Sequence, residues 1–176
     1  MPEDTKVGSP KDKKTIGGTE VLLTVDENSF QIIGFRLGEE EFGVDIFAVK
    51  EIIRMSQMTR VPNAPPFVVG VFNMRGKVIP IIDLCIRFGL PISDIDNTDK
   101  KIIVIEHEAK TVGFLVDAVN EVATLNRSIT EPPPPMVSGI ESAYITAIAK
   151  LDNKLLILLE VSKILIIPDE AGFFKH

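Results

Sequence analysis

The chain has 176 residues, 45% hydrophobic and 25% charged, enough for one compact domain or two small ones sharing a core. A net charge of −6, with no Trp and one Tyr, is a poor basis for gripping phosphate backbones or stacking bases, so nucleic-acid binding is disfavoured. No stretch approaches the roughly 20 apolar residues of a membrane span, and no apolar signal region follows Met1, which predicts a soluble cytoplasmic protein without membrane insertion.

Residues 1–28 carry Gly8-Ser9-Pro10, a lysine-rich run and Gly17-Gly18, interrupted only by Val21-Leu22-Leu23. That composition predicts a flexible tail. From Phe30 onward, short apolar runs alternate with polar turns, the pattern of short strands. Strands are expected at Phe30–Leu37, Glu41–Asp45, Lys50–Met55, Gly70–Asn73 and Lys77–Ile82. A second set is expected at Lys101–Ile105, Thr111–Val116, Glu121–Leu125, Ile145–Ala149 and Lys154–Leu159. Gly38-Glu39-Glu40 and Glu108-Ala109-Lys110 read as hairpin turns. Asp83 can cap a short helix to Phe88, closed by Gly89. A second helix, or equally a strand, is expected over Val161–Ile166, stopped by Pro168. Strands at this spacing suggest sheets closed into small barrels.

An internal repeat organises these elements. The segment from Phe42 to Ile52 matches Val112 to Val122, with Gly43, Val49, Glu51 and Ile52 falling on Gly113, Val119, Glu121 and Val122. The segment from Val71 to Leu84 matches Ile148 to Val161, the tip Arg75-Gly76 being replaced by Asp152-Asn153. The expected domains are therefore a tail (1–28), a first barrel (about 29–98), a second barrel (about 99–168) and a C-terminal tail (169–176). An acidic connector from Pro91 to Asp99 joins the halves. Pro132-Pro133-Pro134-Pro135 reads as a stiff link between strands, or less readily as a polyproline docking segment.

Catalytic chemistry is hard to find. His107 and His176 have no ligand-spaced companions, and the Glu106-His107-Glu108 triplet reads as a solvated hairpin tip. No zinc, phosphate-loop or nucleophile-elbow motif occurs. Asp45, Asp83 and Asp117 each follow a strand and are explained by turns and caps. Cys85, in Leu84-Cys85-Ile86, reads as a core thiol. No enzyme, cofactor or metal site is expected, and what remains are surfaces. Arg75, at the tip of an apolar hairpin, suits multidentate anchoring at an interface or a solvated turn equally well. Glu51 could pair with Arg75 or with a partner's cation.

From Phe30 to Ile166 the chain resembles the CheW family, the coupling proteins of bacterial chemotaxis. The resemblance rests on Glu41-Phe42-Gly43-Val44-Asp45-Ile46, Val49-Lys50-Glu51-Ile52, and Gly70-Val71-Phe72-Asn73-Met74-Arg75-Gly76 running into Ile79-Pro80-Ile81-Ile82-Asp83-Leu84. Val112-Gly113-Phe114-Leu115-Val116-Asp117 and Leu155-Leu156-Ile157-Leu158-Leu159 also match. The resemblance implies a mainly β fold of two SH3-like five-stranded barrels with short helices. It also implies a non-enzymatic adaptor joining the cytoplasmic tip of methyl-accepting chemoreceptors to the regulatory domain of the histidine kinase CheA, recruited to membrane-associated receptor arrays. On this resemblance Val49, Glu51, Asn73, Arg75, Gly76, Val119 and Val122 are receptor-side candidates, and Ile33, Ile46 and Val49 are candidates for the kinase contact. By residue type alone those apolar positions fit a core as well as an interface. The CheW-like half of a fused CheV-type adaptor is an alternative. A small-barrel ligand-binding protein or enzyme is another, and it requires a deep polar pocket with converging charges.

Overall fold

The computed structural model describes residues 13–22, 27–55, 57–92 and 99–165. The expected C-terminal tail, the stop at Pro168, residues 93–98 of the connector, and residues 1–12 and 23–26 of the expected N-terminal tail lie outside them. All ten expected strands are present: β3 (Ser29–Leu37), β4 (Glu40–Asp45), β5 (Val49–Arg54), β6 (Val68–Met74), β7 (Lys77–Asp83), β8 (Lys101–His107), β9 (Lys110–Val116), β10 (Ala118–Asn126), β14 (Ile145–Leu151) and β15 (Lys154–Leu159). Five shorter strands add to them: β1 (Lys13–Ile16), β2 (Thr19–Leu22), β11 (Thr130–Glu131), β12 (Met136–Val137) and β13 (Ile140–Glu141).

The predicted punctuation is where the sequence places it. Asp83 accepts from the N–H groups of Cys85 (2.9 Å) and Ile86 (3.3 Å), opening α1 (Leu84–Phe88). Gly89 closes that helix at φ 72°. The ambiguous Ile-rich run is helical, α2 (Val161–Ile164). The four prolines link β11 to β12, and Glu108-Ala109 turns β8 into β9 with both φ angles positive.

Sheet order revises the domain boundary. One sheet runs β5-β8-β9-β7-β6, the other β10-β3-β4-β15-β14-β11. By the repeat, β3, β4, β5, β6 and β7 correspond to β8, β9, β10, β14 and β15. Each copy's first hairpin therefore pairs with the remaining strands of the other copy, and a boundary near residue 98 cuts through both sheets. The physical reason lies at the crossovers. After β4, Asp45 caps a 3-10 turn (Ile46–Ala48) by accepting from the Phe47 N–H at 2.8 Å, and the chain then enters the opposite sheet. After β9 the chain crosses back at Asp117, whose N–H donates to the Arg36 carbonyl (3.0 Å) and whose carboxylate accepts from the Gly38 N–H at 2.6 Å. The fold is mainly β as expected. Among the described residues its two larger sheets have five and six strands, beside the two-stranded β1-β2 and β12-β13, and the end strands β5 and β6, like β10 and β11, are not paired with each other.

The two parallel pairs, β7–β9 and β15–β4, show why glycine recurs in both copies. A Cβ on Gly113 would stand 2.6 Å from Ile102 and 2.7 Å from Ile81, and one on Gly43 would stand 3.0 Å from Ile32 and 3.1 Å from Leu158. Each unit keeps a small cluster of its own, one around Ile81, Ile102 and Leu115, the other around Ile32, Leu125 and Leu158. The main core is shared between them. Phe35 stacks on Phe42 (5.7 Å), Phe42 on Phe88 (6.2 Å), and Phe88 meets Tyr144 (5.6 Å).

The expected flexible tail is corrected between residues 13 and 22. There β1 and β2 pair as an antiparallel hairpin, Ile16 is buried in the shared core, and the Gly17 N–H donates to the Lys50 carbonyl at 3.3 Å. Among the described contacts, the Ile16 side chain and the Lys50 and Phe47 carbonyls dock a segment whose composition alone looks unstructured.

Candidate interaction site

The β6–β7 hairpin pairs Phe72 with Ile79, Asn73 with Val78 and Met74 with Lys77, leaving Arg75-Gly76 as a two-residue loop. Both loop residues have positive φ, 54° and 84°, as the twist of a tight hairpin requires. Arg75 is unfavoured there as a non-glycine residue, and two contacts hold it. The Asn73 side-chain oxygen accepts from the Gly76 N–H at 2.9 Å, fastening the loop. The Arg75 guanidinium reaches Glu51 on β5, with Nη1 at 2.7 Å from Oε2 and Nη2 at 3.5 Å from Oε1.

The two members of this pair sit in different surroundings. The Glu51 side chain is 10% exposed and that of Arg75 is 72% exposed. A carboxylate so enclosed needs a cation, and the fork geometry of Arg supplies one. The hydrogen bond to Glu51, and then its negative charge, hold the Arg75 pKa above its ordinary value. The result is an exposed, orientation-locked guanidinium whose anchor is buried. No counterpart exists in the other copy, where Asp152 replaces Arg75 and Glu121 is exposed.

Thus Glu51, Asn73, Arg75 and Gly76 come together at one hairpin tip. Val119 and Val122 lie on β10, the counterpart of β5 in the other sheet, paired with Phe35 and Ile33 and half-buried against the shared core. Val49 is completely buried at the start of β5. The three residues expected at a kinase contact are corrected: Ile33 (2% exposed), Ile46 (0%) and Val49 (0%) are core, held between the sheets by their apolar neighbours.

A cleft of about 430 Å³ lies elsewhere, lined by Phe30, Phe47, His107, Arg127, Thr146 and Glu160 among others. Its carboxylates are all engaged. Asp45 caps the 3-10 turn, Glu106 faces Lys50 (3.5 Å), and Glu160 accepts from Ser162 (2.6 Å) and Thr146 (2.9 Å). Those two hydrogen bonds, the Ser162 one foremost, hold Glu160 below the usual carboxylate range. Nothing there resembles an acid/base pair awaiting a substrate. Among the described residues, no group of three or more His, Cys, Asp or Glu is placed to hold a metal ion, and no helix is long and apolar enough to cross a membrane. Burial, with the negative charges of Asp83 and Asp117, pushes the Cys85 thiol up to about 11, leaving it inert. Sequence reasoning missed Ile16 and Gly17 on the first hairpin and the long-range role of Asp117. The signal for the hairpin was Gly17-Gly18 between two short runs able to pair.

A family model described as CheW-like domain matches residues 31–167. The chain is 36% identical to the chemotaxis protein CheW of Klebsiella aerogenes, covering 82% of this chain and 89% of that protein. It is 31% identical to the chemotaxis protein CheW of Treponema pallidum, covering 85% and 90%. The crystal structure of the scaffolding protein TtCheW from Thermoanaerobacter tengcongensis superposes with a TM-score of 0.71 at 39% identity, over 78% of this chain and 87% of that one.

Proposed function

The chain belongs to the CheW-like family, whose members are non-enzymatic chemotaxis scaffolds, and on that premise we propose that it couples methyl-accepting chemoreceptors to the histidine kinase CheA. The observation that carries this reading is the Glu51–Arg75 pair. A guanidinium 72% exposed, fixed by a carboxylate 10% exposed, is a preorganised donor for a partner, since its own side-chain freedom is already reduced before binding. The helical tip of a receptor is the partner such a site suits, with Asn73 and Gly76 setting the loop that presents Arg75. The kinase regulatory domain takes a different face, one that does not use Ile33, Ile46 or Val49. A scaffold so placed is recruited to receptor arrays through its partners.

The test is Arg75→Glu. This change sets a negative charge against buried Glu51 and removes the exposed donor. The folded variant is expected to lose capture by an immobilised receptor-tip fragment while still binding the kinase regulatory domain. Receptor capture equal to wild type would refute the assignment of this face.

A further inference from the structure

The β1–β2 hairpin precedes residue 31, where the family match begins, so membership says nothing about it. It is built onto β5, the strand carrying Glu51. A β-bulge between Val49 and Glu51 leaves Lys50 without a partner across the ladder to β8. The Gly17 N–H takes the Lys50 carbonyl at 3.3 Å, Lys14 Nζ donates to the Phe47 carbonyl at 3.4 Å, and Ile16 enters the shared core with 9% of its surface exposed. The turn stands directly over Glu51: a Cβ on Gly17 would lie 3.4 Å from Glu51 Cβ.

The repeat supplies an internal control. β10 has the same bulge, between Val119 and Val122, and carries no hairpin among the described residues. There Glu121, the counterpart of Glu51, is exposed, and Val119, the counterpart of Val49, is half-buried. On β5, under the hairpin, Glu51 and Val49 are both buried. Among the described side chains, Ile16 anchors the cover, with hydrogen bonds of 3.3 and 3.4 Å at the long end of the usual range.

We infer that the β1–β2 hairpin is a cis-acting cover on the β5 edge, and that the helical partner proposed above for the Glu51–Arg75 face competes with it. The inference rests on that proposed reading for the partner's identity. With the cover down, Arg75 is reachable and Glu51 is not. With it lifted, both are available and the partner gains the β5 edge.

The experiment measures binding of a receptor-tip helical fragment to the full chain and to two variants, Ile16→Asp and Gly17→Val. The first removes the apolar anchor and the second puts a β-branched residue at φ 57°. Hydrogen exchange of the β8 and β9 amides establishes that the sheets stay folded in at least one of them. The expected result is binding tighter by about 3- to 10-fold in whichever variant keeps its sheets, with faster exchange at the residue 17 amide that donates to the Lys50 carbonyl. Equal or weaker binding in the folded variant, with the parent chain binding normally, overturns the cover and leaves the coupling reading intact. Absence of binding by the parent and the variants alike overturns the coupling reading and removes the competition with it.

Discussion

Replacing Gly113 by alanine probes the exchanged-hairpin architecture at its tightest point. β9 runs parallel to β7 with Gly113 opposite Ile81, and the new methyl would meet Ile102 Cγ2 at 2.6 Å and Ile81 Cδ1 at 2.7 Å. Both isoleucines are completely buried, and a β-branched side chain has little freedom to turn aside in a close-packed interior. Overpacking of this kind costs about 1–3 kcal/mol, and two simultaneous contacts put Gly113→Ala near the upper end, at about 2–3 kcal/mol. Gly43→Ala, the same change in the other unit, meets Ile32 Cδ1 and Leu158 Cδ2 at the longer distances of 3.0 and 3.1 Å and should cost about 1 kcal/mol. Urea unfolding followed by circular dichroism measures both. With a slope of about 2 kcal/mol per molar, the midpoint should fall by roughly 1–1.5 M for Gly113→Ala and by about 0.5 M for Gly43→Ala. Ile81→Val deletes the Cδ1 methyl and should recover part of the loss in the double variant, a coupling of at least about 0.5 kcal/mol. A Gly113→Ala protein as stable as the parent, or more stable than Gly43→Ala, would refute the packing described for the parallel pair.

Three smaller predictions follow from single groups. Asp83→Ala removes the carboxylate that caps α1 and should lower stability by about 1 kcal/mol, read as a fall in the thermal midpoint. Cys85, with its thiol raised to about 11 by burial, should stay unreactive toward a disulfide reagent at pH 8 in the native protein and react at once in denaturant. Glu160 has a folded pKa held below its unfolded value, so its contribution is full above the ordinary carboxylate range and is lost as pH falls through the depressed value. In Ser162→Ala the Glu160 titration, followed by side-chain NMR, should move upward, and acid unfolding should begin at a higher pH.

Much of this was readable from residue types. Gly43 and Gly113, Asp83 with Gly89, and the alternation within each strand have local causes, so the repeat, the caps and the strands could be read directly. The exchange of hairpins could not. Similarity between β4 and β9 says that they occupy equivalent positions, and it is silent on which copy each one pairs with. That choice is made at the 3-10 turn after Asp45 and at Asp117, through contacts as distant in sequence as Asp117 with Gly38. Ile33, Ile46 and Val49 show a second limit, because an apolar side chain suits a core and an interface alike until neighbours are known. The β1–β2 hairpin shows a third: four-residue strands have too little periodicity to register, and the described contacts of this one, Ile16 in the core and Gly17 on the Lys50 carbonyl, are long-range. Glu51 with Arg75 was the intermediate case, since both residues stood out and only the structure chose between a mutual pair and a partner's cation.

The claim of a two-faced coupler is tested most directly by titrating the isotope-labelled chain separately with a receptor-tip fragment and with the kinase regulatory domain, following backbone amide shifts. The account predicts that the receptor fragment perturbs Glu51, Asn73, Arg75 and Gly76, that the kinase domain perturbs a different set, and that both bind at once. Mutual exclusion of the two ligands, or a receptor footprint that leaves the β6–β7 hairpin untouched, would contradict it.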